Sequence, residues 1–321
     1  MHLALDFYAH IRYSLNRSKG TPKTVCTLSW EGKDIEPNFW KKIDEKERYI
    51  TMKKIIAMLL AAIMMLSLAA CGDKPVETPE DNVLVMGTSA DYAPYEFMYP
   101  DANGNMVFGG IDISVAQAIA DHMGKELEVQ NMNFDFLLNN LQSGKCDVVL
   151  AAIEVTPDRL DQADFSDPYY TDLPKMIVVP ADQAAAYATL NDFSGKFVGA
   201  QTATTNVEIV TNDMPGAQLN SQTAVTDMFN MLASGKLDAV VVDGAIAMQY
   251  VENNKTLAIA AASDSLGEAL PYCVAVAKGD PKGLLDGINA AIAEMTAANK
   301  LEQFIADADA LADVAVEVAG Q

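Results

Sequence analysis

Basic residues are scarce in this chain. Of 321 residues, 22 are Lys or Arg and 44 are Asp or Glu, for a formal charge of −22. That balance excludes a nucleic-acid binder, whose phosphate contacts need a basic face. It also excludes a surface that adheres to anionic lipid. Four cysteines are too few for a disulfide-rich scaffold. After Cys71 the only histidine is His122, so no His-based nucleophilic dyad or triad can be assembled. No Cys/His cluster has metal spacing, and no Gly-rich phosphate loop appears. Neither an enzyme, a metal nor a cofactor is expected. What the chain does have, 50% hydrophobic and 21% charged residues, is the composition of a globular protein.

The charge is unevenly spread. Residues 1–51 carry nine basic and seven acidic residues and both tryptophans, Trp30 and Trp40. From Cys71 onward there are 11 basic and 37 acidic residues, a net of −26. Ten of those 11 are lysine; one, Arg159, is arginine. Arginine presents a planar donor fork that lysine cannot imitate.

Lys53 and Lys54 precede an uncharged, mostly apolar run over 55–70. At 16 residues it is shorter than the roughly 20 of a membrane-spanning helix and fits a secretory signal. Its end, Leu68-Ala69-Ala70-Cys71, resembles the lipobox of bacterial lipoproteins, in which the cysteine is lipidated and becomes the first mature residue. The expected organisation is therefore a leader over 1–51 that is an artefact of the start site, a signal peptide over 52–70 and a lipidated tether over 71–82. That implies attachment to a cell membrane through lipid on Cys71, facing the extracellular or periplasmic side. No membrane-spanning pattern follows Cys71, which argues against a receptor.

The rest reads as alternating strands and helices, the pattern of a mostly parallel α/β sheet. The run 83–87 is a buried strand. Ile111, Val115, Ile119 and Met123 recur every fourth residue, as on one face of a helix. Two segments echo each other: LQSGKCDVVLAA (141–152) and LASGKLDAVVVD (232–243), offset by 91 residues. Each predicts a helix ended by Ser-Gly, with glycine in the left-handed cap, then a turn and a buried strand. Two copies predict two lobes of like construction. Ligands of open α/β sheets bind beyond the carboxyl ends of strands, so 152–154 and Asp243 would line a shared cleft.

The stretches DYAPYEF (91–97), GGIDISVAQAIADHMG (109–124), AAIEVTPDR (151–159) and DFSDPYY (164–170) resemble bacterial extracellular solute-binding proteins of family 3, which serve polar amino acid ABC importers. The resemblance spans residue 83 to the last helices. It implies a type II periplasmic-binding-protein-like fold: two α/β lobes, 83–175 with 273–321 and 176–272, joined by two hinge strands. The crossings would fall near 173–179 and 270–274. It also implies a monomer that passes a polar amino acid to a permease and its ATPase. Where the family has an acid in the 109–124 motif, this chain has Ser114, on a helix away from the cleft.

An amino acid needs an anion binder, a carboxylate and a wall. Arg159 can grip its carboxylate through two parallel hydrogen bonds, the task this arginine has in the family. Asp243 would pair with the ammonium, though it could also cap the following helix. Tyr92 and Phe134 correspond to family aromatics that sandwich the ligand side chain. Gln201, Thr202 and Thr205 lie in a segment whose amides and hydroxyls would meet a carboxylate at a helix start. Ala152 lies at the first strand exit, and Ser89 stands where some members carry an acid. Glu154 departs from the family, which commonly has Ser or Thr there. An ionised glutamate cannot donate a hydrogen bond, so it either neutralises Arg159 or reaches a ligand cation. Arg159 against Asp243 and Glu154 sums to −1, which points to lysine, arginine or ornithine.

Cys146 and Cys273 begin strands that the family topology makes antiparallel neighbours, so both are expected as free thiols. The alternative from another class is an enzyme like the secreted cyclohexadienyl dehydratases of this fold, with Glu154 as general acid.

Overall fold

The computed structural model describes residues 82–319 continuously, with side chains to Ala312, and before them only the backbone of four short strands. Of these, β1 (Arg12–Ser14) pairs antiparallel with β2 (Val25–Thr27), and β3 (Ser29–Trp30) with β4 (Lys33–Asp34). The apolar run 55–70, Cys71 and the tether up to residue 81 lie outside the described residues, and so do the signal and lipid assignments made on them.

From residue 83 the chain builds β5 (Val83–Thr88), a small antiparallel sheet of β6 (Asp91–Tyr92), β7 (Glu96–Pro100) and β8 (Met106–Gly109), then α1 (Ile111–His122) and β9 (Glu126–Asn131). It continues through α2 (Leu137–Gln142), β10 (Val148–Val149), α3 (Pro157–Leu160) and β11 (Ala163–Thr171). A second body follows: β12 (Met176–Pro180), β13 (Phe197–Gln201), α4 (Thr205–Glu208), β14 (Gln218–Gln222), α5 (Val225–Ala233), β15 (Ala239–Val242), α6 (Gly244–Asn253) and β16 (Leu257–Ile259). Then β17 (Pro271–Ala277) returns, followed by α7 (Leu285–Ala297) and α8 (Lys300–Ala319).

Two five-stranded mixed sheets result, ordered β11-β17-β10-β5-β9 and β14-β13-β15-β12-β16. In each, three adjacent strands are parallel and the rest antiparallel. The chain passes from the first sheet to the second between Thr171 and Met176 and returns between Ile259 and Pro271. Pro271 and Tyr272 pair with Thr171 and Tyr170 as the return strand enters the first sheet.

The echoed motif has the same geometry twice. Gly144 and Gly235 take φ of 74° and 71° and end α2 and α5. Their N–H groups donate to Leu141 and Leu232, and those of Lys145 and Lys236 to Asn140 and Met231. The motif aspartate then ties its strand to a neighbour. Asp147 N–H donates to Val85 O at 2.8 Å while its carboxylate accepts from Val85 N at 2.9 Å. Asp238 does the same with Phe197, at 2.8 Å both ways. Each repeat thus fixes its strand to the neighbouring parallel strand before the strand runs on toward the cleft.

The predicted helical face is that of α1: Ile111, Val115 and Ile119 are buried, at about 1.5–3 kcal/mol each. Among the described residues no helix is long and apolar enough to cross a membrane.

Cys146 and Cys273 are both buried and free. Strand β10 runs antiparallel to β17 in the register Val148↔Val276, so the two sulfurs sit toward opposite ends. Burial pushes both thiols up to about 11. Both should resist a thiol reagent at pH 8 in the folded protein. Both should react fully in denatured, unreduced protein, and finding neither free there would establish a bridge.

Candidate functional site

The two sheets present their strand exits to one pocket. Its wall contains Ser89, Tyr92, Phe134, Ala152, Glu154 and Arg159 from the first body and Gln201, Thr205 and Asp243 from the second. Nine of the ten residues expected to hold a ligand therefore share one cavity. Thr202 does not. Its N–H still pairs with Gln222 O at 2.8 Å, continuing the β13–β14 ladder. Side chains alternate across a strand, so Gln201 points to the pocket and the Thr202 hydroxyl goes to Ser221 at 2.7 Å. Ala203, with a φ of 65°, then turns the chain, and Thr204 and Thr205 return to the wall.

Arg159 is 8% exposed. Thr156 caps the turn of helix that carries it, accepting from its N–H at 3.3 Å. Its guanidinium donates to Glu154 O at 2.7 Å and, across the cleft, to Ala203 O at 3.1 Å. The Phe134 ring lies beneath it at 5.4 Å, a cation–π distance. Burial lowers the guanidinium's pKa, opposed by Glu154, Asp243 and Glu208.

Asp243 sits at the N-cap of α6, yet its side chain makes no capping bond. One oxygen accepts from the Tyr92 hydroxyl at 2.7 Å and the other from Lys175 at 2.5 Å. Burial alone would raise its pKa; the charge and hydrogen bond of Lys175, helped by Tyr92, bring it below the usual carboxylate range. Gly244 follows because the chain crossing comes close: a Cβ there would lie 2.4 Å from Leu173 Cβ and 2.6 Å from Pro174 O. Tyr92 is fixed by stacking on Tyr95, with centroids 6.1 Å apart.

Lys175 was not anticipated from sequence. It lies one residue before β12, in the crossing, and its side chain is 11% exposed. Its ammonium bridges Asp243 and Glu154, the latter at 3.1 Å. The other Glu154 oxygen accepts from the Thr205 hydroxyl at 2.5 Å. Glu154 thus neutralises Lys175, and what Arg159 receives from it is a backbone carbonyl. The expected sum of −1 omitted Lys175; with it, two cations face two carboxylates and the sum is zero. Burial tends to lower the Lys175 pKa, but Asp243 and Glu154 together raise it.

Thr204 and Asn206, from the same segment as Gln201 and Thr205, also line the pocket, as do Glu96 and Ala151, which were not expected there. Glu96 lies within the DYAPYEF stretch. It pairs with Asp112, which accepts from Ala152 N–H and the Tyr169 hydroxyl, both at 2.7 Å. Burial, then Asp112 and Asp91, raise the Glu96 pKa well above its ordinary value, while burial holds Asp112 at about 6. Glu96 Oε2 and Asn206 Oδ1 are buried without a hydrogen-bond partner. Such atoms on a pocket wall are open valences for a polar ligand.

Polar links between the two bodies include Tyr92 to Asp243, Arg159 to Ala203, Thr205 to Glu154, and the Asp91 carboxylate, which accepts from Val225 N–H at 2.7 Å. The pocket itself encloses about 10 Å³, room for one water. Among the described residues no His/Cys/Asp/Glu group could hold a metal ion.

A two-lobed α/β molecule with its polar groups converging on the cleft is the architecture of the type II periplasmic binding proteins. The model for bacterial extracellular solute-binding proteins, family 3, matches residues 84–307, and the chain belongs to that family. It is 34% identical over 255 residues to the arginine-binding extracellular protein ArtP of Bacillus subtilis, covering 78% of this chain and 96% of the relative. It is 30% identical to the ABC transporter arginine-binding protein 1 of Escherichia coli, covering 66% and 84%. Among solved structures it is similar to the substrate-binding protein AbpA of Streptococcus pneumoniae bound to L-arginine. That match has a TM-score of 0.67 and 32% identity over 72% of this chain and 96% of the other.

Proposed function

We propose that this chain is the substrate-binding protein of an ABC importer and captures one polar α-amino acid between its lobes, 83–175 with 273–321 and 176–272. One observation carries the reading: Arg159 on one lobe and Asp243 on the other face a single buried pocket. Arg159 holds the ligand carboxylate in its fork, supported by the backbone N–H of Thr205, whose hydroxyl donates to Glu154. Asp243 takes the ammonium in place of one contact from Lys175. Tyr92 and Phe134 flank the side chain, while Ser89, Ala152, Glu154 and Gln201 complete the wall. The names of the relatives, which bind arginine, histidine and cystine, support the ligand class.

Entry requires the lobes to part, because about 10 Å³ cannot admit an amino acid. Opening and closing pivots on 172–175 and 260–270, and the ligand shifts that equilibrium by its affinity for the closed form. A monomer anchored by lipid on Cys71 presents the closed form to a permease driven by an ATPase. No chemistry is done on the ligand. Both Glu154 oxygens are engaged by donors, Lys175 and Thr205, the wiring of an acceptor and not of the general acid that a dehydratase would need.

The test is a thermal-shift screen against the twenty amino acids and ornithine. At 100 times Kd a ligand adds about 2.7 kcal/mol of apparent stability. At least one amino acid should raise the midpoint by several degrees. A flat screen, or release of phenylpyruvate from prephenate, would refute the binding reading.

A further inference from the structure

Lys175 is a charged residue in an unusual place. Its ammonium lies between two carboxylates of the pocket, 2.5 Å from Asp243 and 3.1 Å from Glu154. Glu154 and Asp243 belong to opposite lobes, and Lys175 itself stands at the crossing between them. A ligand ammonium that binds Asp243 leaves Lys175 on Glu154, still inside the cavity. A ligand side chain therefore meets a fixed positive charge and no unpaired carboxylate: Arg159 and Lys175 are matched by Glu154 and Asp243. The remaining acid on the wall, Glu96, has its pKa raised well above its ordinary value by burial and by the neighbouring carboxylates of Asp112 and Asp91.

Building on the amino acid reading above, we infer that Lys175 is a specificity-determining residue, which neutralises Glu154 and disfavours a second positive charge on the bound amino acid. A pocket with Glu154 and without Lys175 is charged −1 and suits a cationic side chain. The same pocket with Lys175 suits a polar side chain of zero charge. Like charges brought together in a desolvated site repel strongly, so discrimination falls on the difference between two ligands of one shape.

L-arginine and L-citrulline are such a pair, nearly isosteric and differing by one charge. Calorimetric affinities for both are measured in the wild-type protein and in Lys175→Met, Lys175→Arg and Glu154→Gln. Lys236→Met removes an exposed charge and serves as control. Lys175→Met should shift the arginine-to-citrulline affinity ratio toward arginine by roughly tenfold or more. Glu154→Gln should shift it the other way, and Lys175→Arg and Lys236→Met should leave it within about twofold. The Glu154→Gln arm keeps the inference testable if Lys175→Met does not fold. An unchanged ratio in both Lys175→Met and Glu154→Gln, with ligands still binding, overturns the role of Lys175 alone. A wild-type protein that binds no amino acid at all instead overturns the reading on which it rests.

Discussion

Arg159→Ala should lower affinity for the bound amino acid by about 2–5 kcal/mol, the cost of truncating one partner of a buried, charged hydrogen-bonded pair. Arg159 is nearly sealed from solvent, and no other arginine follows Cys71 to take its place. Its fork is held in place from two sides: Glu154 O fixes one end, and Phe134 lies under the plane. Arg159→Lys should recover little, since a lysine cannot supply two parallel donors. Part of the loss comes from closure itself, because the bond to Ala203 is one of the links between lobes. Titration calorimetry with the ligand found in the thermal screen measures the effect. Affinity within about twofold of wild type would mean that the carboxylate is held by the segment after Ala203 instead.

Asp243→Ala should abolish measurable binding and destabilise the fold by about 3 kcal/mol, because it leaves Lys175 short of a partner in a buried site. The double variant Asp243→Ala with Lys175→Met should regain much of that stability, with the orphaned charge gone, and none of the binding. A double variant no more stable than Asp243→Ala would show that the pair is not what the single change disrupts. Acid titration gives a second check. The folded pKa of Asp243 lies below its unfolded value, mainly because Lys175 outweighs burial. Its stabilisation is therefore complete above the unfolded value, about 3.9, and drains as pH falls through the folded one. Wild type and Asp243→Asn should differ in stability near neutrality, and the difference should begin to shrink only as the pH falls below about 4.

Much of this site could be read from the chain because it obeys simple rules. The echo placed 152–154 and Asp243 at the exits of like strands, and strand exits in an α/β lobe meet at a cleft. Arg159 stood out by being alone. Lys175 could not stand out in the same way. It is one of ten lysines after Cys71, it sits in a crossing that has no motif, and only the fold brings it to Asp243. Thr202 lies off the wall for a local reason: its N–H continues the β13–β14 ladder, and the alternation carries its side chain to the other face. Glu96 was hidden because an acid within an aromatic stretch reads as solvated until the small sheet buries it.

The bond from Val225 N–H to the Asp91 carboxylate has a different standing from the other links between lobes. Neither residue belongs to the pocket wall. Its free energy falls on how long the lobes stay together and not on which side chain they enclose. The lifetime of the closed form thus has one contributor that can be altered without touching a residue of the wall.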